Sequence, residues 1–355
     1  MEAVLIEGDG IGPEVVQAAK RCIEATAPKV EFEKAYMGEE AQERFGTPLP
    51  DETVSKVEDA GFALKGPVKT PVGYGFRSVN VQLRKRLELY ANIRPCRYMK
   101  GVKSRINSPE DIDIVVVREN LEDVYSGIEF EKGTNDADEF REFLEAKGFE
   151  TLSSSSSGYS VKPISETRSE NIIRHAFEYA ERNGREKVTA VDKANIMKYT
   201  DGLFMEVGER VSEDFDVEYE HLIVDNVAQQ LVVNPEQFDV IVTQNLYGDI
   251  LSDLAAGLVG GIGLVPSANI GKDNAVFAST HGTAPDIAGE NIANPSSLIF
   301  SSAMMLDRMG FEEESREVRV ALEEVIGEGK HVTGDLGGDA TTEEMTDAVV
   351  KRINS

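Results

Sequence analysis

The chain has 355 residues, 41% of them hydrophobic, which suits one large or two ordinary globular domains and excludes a disordered polymer. No apolar run reaches the roughly 18 residues a membrane span needs. A formal net charge of −27 leaves no basic footprint for nucleic acid. The acidity itself has two readings, ordinary cytosolic solubility or adaptation to high internal salt that screens self-repulsion.

The opening residues Met1–Glu7 carry acids where an export or transit signal would carry Lys or Arg, so the expected location is cytoplasmic. The only cysteines, Cys22 and Cys96, lack metal-ligand spacing and read as buried free thiols in a reducing compartment. His175, His221, His281 and His331 are scattered and form no zinc pattern.

Short apolar runs alternate with amphipathic stretches along the chain, the pattern of an α/β protein. Ala3–Ile6 reads as a buried strand that ends in Gly8-Asp-Gly-Ile-Gly-Pro-Glu14. A helix follows, with Pro13 early in it and Val15, Val16, Ala19 and Cys22 on one face. The glycine spacing departs from the dinucleotide fingerprint, which needs a third glycine three positions after the second. The cluster Gly257-Leu-Val-Gly-Gly-Ile-Gly263 is also too irregular for it. A dinucleotide bound here would need a different structural solution.

Next comes Ser78-Val-Asn-Val-Gln-Leu-Arg84, then Arg94 in Ala91-Asn-Ile-Arg-Pro95, then Arg118 directly after the strand candidate Ile114–Val117. A guanidinium at the mouth of a buried strand is costly unless an anion or an acid meets it. Any one of the three arginines reads best as a salt bridge to a neighbour such as Glu88 or Glu119. Three of them near Ser78 and Asn80 read better as a site that grips several carboxylates. Tyr125 lies just beyond and could deliver a proton.

Between Gly133 and Ile164 the character changes. A charged helical piece, Asp136–Lys147, precedes Ser153–Ser157 and Gly158-Tyr-Ser-Val-Lys162. This segment is either a flexible surface insertion or an extended arm that pairs with a second subunit. Val188–Val191 reads as a strand leading to Lys193, and a lysine near a metal and arginines would have its pKa lowered toward proton transfer. Asp225 ends the apolar run Leu222–Val224, and Phe238–Thr243 is another strand. In Leu246-Tyr-Gly-Asp-Ile-Leu-Ser-Asp-Leu254, Asp249 and Asp253 fall on one helix face, and Ile250, Leu251 and Leu254 predict that the helix is largely buried. The two acids repel unless a cation lies between them. The candidates are Mg²⁺ or Mn²⁺, with Asp225 as a further ligand, or plain solvation at a helix start. The polar, turn-prone loop His281–Pro295 places Asp286 where it could meet a ribose hydroxyl.

Taken together, Gly8–Glu14, Ser78–Arg84, Arg118-Glu-Asn120, Asn245–Asp253 and His281–Pro285 resemble the β-decarboxylating dehydrogenases, the family of isocitrate, isopropylmalate and homoisocitrate dehydrogenases. The resemblance runs from about residue 4 to about residue 350. It implies an α/β fold of two domains sharing a central sheet with a clasp insertion, not a Rossmann fold. Residues 1–89 and 260–355 would form the large cofactor-side domain, and 90–122 with 166–259 the small substrate and dimer domain. Residues 123–165 would be the clasp. Ser78 and Asn80 are similar to the isocitrate branch, where they meet the third carboxylate, whereas the isopropylmalate branch is apolar there. Gly66–Val72 and Val124–Glu129 are also similar to isocitrate dehydrogenase.

The activity so implied is oxidative decarboxylation of isocitrate to 2-oxoglutarate and CO₂, as in the tricarboxylic acid cycle. The implied substrate residues are Ser78, Asn80, Arg84, Arg94 and Arg118, with Tyr125 and Lys193 catalytic. Mg²⁺ or Mn²⁺ would be held by Asp225, Asp249 and Asp253. NAD would meet Thr70, His281, Gly282, Thr283, Ala284, Asp286, Ile287 and Asn294. NADP-using relatives carry Lys and Tyr at 286 and 287, and Tyr and Arg where Gly334 and Gly338 stand. The resemblance further implies a homodimer in which Lys193 and Asp225 reach the partner's active site. The departures are Ala278 for a usual Glu, Asp192 for a common His, and Glu7 for a usual Pro. Two alternatives stay open: a homoisocitrate dehydrogenase, and a non-catalytic regulatory subunit.

Overall fold

The structure, a computed structural model, describes residues 1–70, 78–104, 106 and 108–355. Pro71 and Val72, which end the Gly66–Val72 segment, lie outside the described residues. The described strands are β1 (Glu2–Ile6), β2 (Glu31–Ala35), β3 (Phe62–Lys65), β4 (Ala91–Arg97), β5 (Asp113–Glu119), β6 (Glu129–Phe130), β7 (Tyr159–Ser160), β8 (Lys187–Asp192), β9 (Glu218–Ile223), β10 (Val240–Thr243), β11 (Pro266–Ile270) and β12 (Ala275–Ser279).

Ten of them form one sheet in the order β2-β1-β3-β12-β11-β4-β5-β10-β8-β9. The outer pairings are parallel, while β12–β11, β11–β4 and β4–β5 are antiparallel. The five strands on one side come from residues 2–65 and 266–279, and the five on the other from residues 91–243. Helices cover the sheet, which is why Ile114, Val115, Val116 and Val117 are all fully buried with no alternation. Each such side chain contributes roughly 1.5–3 kcal/mol of burial.

At the β4–β11 seam the contacts are polar. The fully buried Asn92 donates through Nδ2 to Ser267 Oγ at 2.7 Å and to Asn269 Oδ1 at 3.1 Å, and Asn120 donates to the same Asn269 oxygen at 3.1 Å.

The helix Gly12–Thr26 buries Val15, Val16, Ala19 and Cys22, with Pro13 at its start. The glycines before it allow close approach. Gly8 has φ +72°, and a Cβ there would stand 2.2 Å from Pro67 O; Gly10 has φ +61°, and its Cβ would stand 2.0 Å from Thr283 O. This contact lets Asp9 N–H bond Pro67 O at 2.8 Å and Ile11 N–H bond Thr283 O at 3.0 Å. The run thus ties two functional loops to the end of β1.

Tyr159 does lie in a strand, but its partner is its own chain, β7 pairing antiparallel with β6. The helix Asn135–Ala146 packs on that hairpin through Phe140, whose ring stacks on Phe130 at 4.4 Å and meets Tyr159 edge-on at 5.5 Å. Ser154 of the serine run donates to Asp138.

The expectation of a largely buried helix at 246–254 needs correction. Helix Asn245–Leu258 buries Leu251, Ser252 and Ala255, but Ile250 is 58% exposed, since adjacent residues face about 100° apart on a helix. Among the described residues, no helix is long and apolar enough to cross a membrane.

Candidate active site

Arg118 emerges from the apolar core of β5 and remains 1% exposed. Its Nε and Nη2 donate to Asn245 Oδ1 at 3.0 and 2.8 Å, and its Nη1 donates to Asp249. Residue 248 is glycine for a reason: a Cβ there would stand 2.5 Å from Arg118 Cγ. Arg94 on β4 donates from Nε to Asn92 Oδ1 at 2.9 Å, and from Nη1 to Ser252 Oγ at 2.8 Å and Asp253 Oδ1 at 2.9 Å. Its Nη2 lies 3.7 Å from Asp249 Oδ1, so within this chain the cation between the two helix acids is Arg94.

The alternative partners do not serve. Glu119 accepts backbone N–H groups from Leu121 and Glu122, and Glu88 lies 3.9 Å from Arg168. Arg84, in the helix Val79–Arg86, is pulled down to about 9 by burial and by repulsion from Arg118 and Arg94. Three guanidiniums around one space with too few carboxylates make a receptor for an anion.

Tyr125 donates to Asp249 Oδ2 at 2.5 Å, and the Arg118 guanidinium lies 4.9 Å from its ring centroid. Burial raises the Tyr125 pKa, Arg118 opposes this, and the bond to Asp249 reinforces it. Burial also pushes the Asp249 carboxyl up, yet Arg118, the Tyr125 hydroxyl and the other two arginines together hold it below the usual range.

Lys193 follows β8 and donates to Asp225 at the start of helix Val224–Val233, and that bond lowers the Asp225 pKa. The ammonium therefore meets a carboxylate of its own chain, not the arginine group. Among the described residues no three His, Cys, Asp or Glu side chains gather in a way that could hold a metal ion. The expected set Asp225, Asp249 and Asp253 is thus not assembled by one chain. The Asp249 and Asp253 side chains, 41% and 59% exposed, still carry carboxylate oxygens, the donor chemistry that suits Mg²⁺ or Mn²⁺. A single chain fits that ion in part.

A cleft of ≈ 440 Å³ opens between Ile11, His281, Ile287, Asn294, Asp335 and Asp339. His281 Nδ1 lies 3.0 Å from Gly282 O, while its buried Nε2 has no protein partner. Burial lowers the His281 pKa, which keeps the ring neutral and able to meet a polar ligand. Asn294 donates to Asp335 Oδ2 at 2.9 Å, and Ala284 turns the loop with φ +37°. Asp286 is exposed beside Ile287 and does not line the cleft. Gly334 lines it, and a Cβ on Gly338 would stand 2.1 Å from Val332 O, so a larger residue there would need a shift. An orphaned ring nitrogen in an open cleft with apolar walls fits a nucleoside.

His281 also lines a second cleft of ≈ 200 Å³, with Asn80, Arg84 and Arg94. Asn80 Oδ1 is buried there with no partner. Thr70 and Ser78 approach each other, Oγ1 to Oγ at 3.3 Å.

Lys65 lines the same cleft and was not singled out from the sequence. It is 5% exposed, and its Nζ donates to Gly66 O at 2.7 Å. Burial, reinforced by Arg84 and opposed by Asp9, lowers its pKa to about 7. Its register partner on β12 is Ala278, so the usual glutamate is missing beside it. The signal was present: Lys65 ends the apolar run Phe62–Leu64 just as Arg118 ends Ile114–Val117.

The comparisons agree with this geometry. The family model described as isocitrate/isopropylmalate dehydrogenase matches residues 2–349. The isocitrate dehydrogenase [NAD] catalytic subunit 5, mitochondrial, of Arabidopsis thaliana is 43% identical over 99% of this chain and 88% of its own. An isocitrate dehydrogenase [NADP] of Archaeoglobus fulgidus is 40% identical, covering 98% and 92%. An isocitrate/homoisocitrate dehydrogenase of Thermus thermophilus is 45% identical, covering 99% and 98%. Among solved structures, isocitrate dehydrogenase from Methylococcus capsulatus superposes with a TM-score of 0.91 at 44% identity, over 100% of this chain and 99% of that one. Arginines and aspartates gathered beside two open clefts suit an anionic substrate, and the relatives matched are oxidoreductases. The chain belongs to the isocitrate/isopropylmalate dehydrogenase family.

Proposed function

We propose that the protein is an NAD-dependent isocitrate dehydrogenase that forms 2-oxoglutarate and CO₂. The observation that carries this reading is the arginine group, with Arg84 and Arg94 lining the smaller cleft beside Asn80 and Arg118 behind them on Asp249. A polycarboxylate is what relieves such crowding. Arg84, Arg94 and Arg118 bind carboxylates, Lys65 adds positive charge beside them, and Ser78 with Asn80 selects the third carboxylate. The Asn80 oxygen, unpartnered among the described residues, would take a donor such as a bridging water.

In the reaction so proposed, Lys193 assists removal of the hydroxyl proton and Tyr125 supplies a proton to carbon after CO₂ leaves. A bound NAD would supply a hydride acceptor, and Asp225, Asp249 and Asp253 would hold a Mg²⁺ or Mn²⁺ ion that supplies polarisation of the hydroxyl-bearing end of the substrate. NAD over NADP rests on Asp286, Ile287, Gly334 and Gly338, with Asp335 and Asp339 adding negative charge to the cleft wall.

Within one chain Asp225, paired with Lys193, does not join Asp249 and Asp253, and this supports a homodimer with shared active sites. So does the exposed apolar surface of Ile250, Val232 and Val233 on the two helices that carry the aspartates. The proposed boundary between the cofactor-side and substrate-side domains follows the β11–β4 junction. A cytoplasmic location fits the two buried, unpaired thiols, both pushed up to about 12 by burial.

The test is reduced-nicotinamide absorbance with purified protein, Mg²⁺ and isocitrate, comparing NAD with NADP at low and high salt. Turnover favouring NAD is expected. Turnover only with NADP would sink the cofactor assignment, and turnover only with homoisocitrate would move the substrate. No turnover with either acid would leave a regulatory subunit, a reading disfavoured because Lys193, Tyr125 and all three aspartates are present.

A further inference from the structure

The turn that carries Lys193 is held by two carboxylates with no solvent exposure. Asp192, the last residue of β8, accepts the Ala194 N–H on Oδ1 at 2.8 Å. Asp201, the first residue of the helix Asp201–Ser212, accepts the Lys193 N–H on Oδ2 at 2.8 Å. Two successive amides are thus pinned by buried charges that arrive from opposite ends of the turn.

Each charge has its own counter-group from elsewhere in the fold. His221 on β9 places Nε2 2.9 Å from Asp192 Oδ2. Lys162, just beyond β7 at the exit of the 123–165 segment, donates to Asp201 Oδ1 at 2.6 Å and to Gln244 Oε1 at 2.5 Å. Tyr247 donates to Asp201 Oδ2 at 3.1 Å, and the Lys162 ammonium lies 4.5 Å from its ring centroid. Gln244 and Tyr247 open the helix that carries Asp249.

A buried ion costs several kcal/mol to desolvate, and an ordinary turn amide is satisfied by a carbonyl or water without that cost. The lysine side chain is flexible, so the direction of its backbone is the part of its aim that the fold can fix. We propose that Asp192 and Asp201 are positioning residues that orient the Lys193 turn, with Lys162 locking that turn to the segment 123–165 and to the Asp249 helix. The proposal rests on Lys193 assisting removal of the hydroxyl proton in the reaction above.

The test uses the full chain and compares Asp201→Ala, Asp201→Asn, Lys162→Met and Lys193→Met with isocitrate deuterated at the hydroxyl-bearing carbon. Asp201→Ala and Lys162→Met should lower kcat roughly 10–100-fold, as misplacement by about an ångström does, with KM for isocitrate within about twofold. The deuterium isotope effect on kcat should rise as the chemical step becomes limiting. Asp201→Asn should recover part of the rate, because an amide oxygen still accepts the Lys193 N–H.

Circular dichroism confirms folding, and if Asp201→Ala does not fold, Lys162→Met and Asp201→Asn decide. Folded variants with wild-type kcat and isotope effect would overturn the proposal. So would a rate loss that only tracks the folded fraction. Turnover that survives Lys193→Met would overturn the reading of Lys193, and the positioning role with it. Loss in Lys193→Met alone, with the Asp201 and Lys162 variants unimpaired, would overturn the positioning role and leave the reading intact.

Discussion

The Tyr125 hydroxyl donates to Asp249 Oδ2 at 2.5 Å. A proposed proton donor and a proposed metal ligand are therefore in direct contact, and what happens to one changes the other. Tyr125→Phe removes the proton and the bond while keeping the ring beside Arg118. The expected result is a loss in kcat of roughly 10²-fold or more with a modest change in isocitrate KM. Steady-state kinetics with purified variant decides this, and near-normal kcat would remove Tyr125 from the reaction.

Lys65 gives a pH test. Its pKa, lowered to about 7 chiefly by burial, makes it cationic below neutrality and mostly neutral above. Binding of an anionic substrate should gain from that charge at low pH and lose it as pH rises through about 7. Lys65→Met should raise isocitrate KM roughly tenfold at pH 6 and much less at pH 8.5, about 1.4 kcal/mol at the acid end. A KM change of the same size at both pH values would show that the lysine acts by shape.

His221 and Asp192 give a stability test. The bond to Asp192 raises the His221 pKa above 6.5, with burial opposing it and Asp192 and Glu209 adding to it. A raised folded pKa means that the stabilisation is fully present below pH 6.5 and is lost as pH rises through the folded value. Melting temperature should therefore decline over that interval, and His221→Gln should flatten that decline. An unchanged slope in the variant would assign the pH dependence to other groups.

Cofactor choice is tested by Asp286→Lys combined with Ile287→Tyr. The ratio of kcat/KM for NAD over NADP should fall by roughly tenfold or more, since a cation then stands where the proposed ribose contact has a carboxylate. Because Asp286 sits outside the lining of the larger cleft, an unaltered ratio would pass the discrimination to Asp335 and Asp339.

Much of the scaffold was legible because its signals are local. Four adjacent β-branched residues at 114–117 announce a strand covered on both faces, and Val15, Val16, Ala19 and Cys22 announce a helix stripe. Polar residues placed at or just beyond strand ends were legible for the same reason, as the positions of Arg118 and Lys193 illustrate. Lys65 carries the same signal, yet a lone lysine after a short run reads equally well as an ordinary strand end.

What stayed hidden depends on residues far apart in sequence. The separation of Arg94 from Asp253, or of Lys162 from Asp201, is set by folding and leaves no spacing to read. The exposure of Ile250 failed for a different reason. Ile250 and Leu251 cannot share a helix face, and composition does not say which of the two turns outward.

The polar stitching of Asn92 to Ser267 and Asn269 has a mechanical consequence. The smaller cleft, with Arg94 on one strand and Ser267 and Asn269 on the next, sits over a hydrogen-bonded seam, not over a loose linker. The two walls of that mouth are therefore joined through bonded strands, so a change in its width would be felt along the seam that Asn92 stitches.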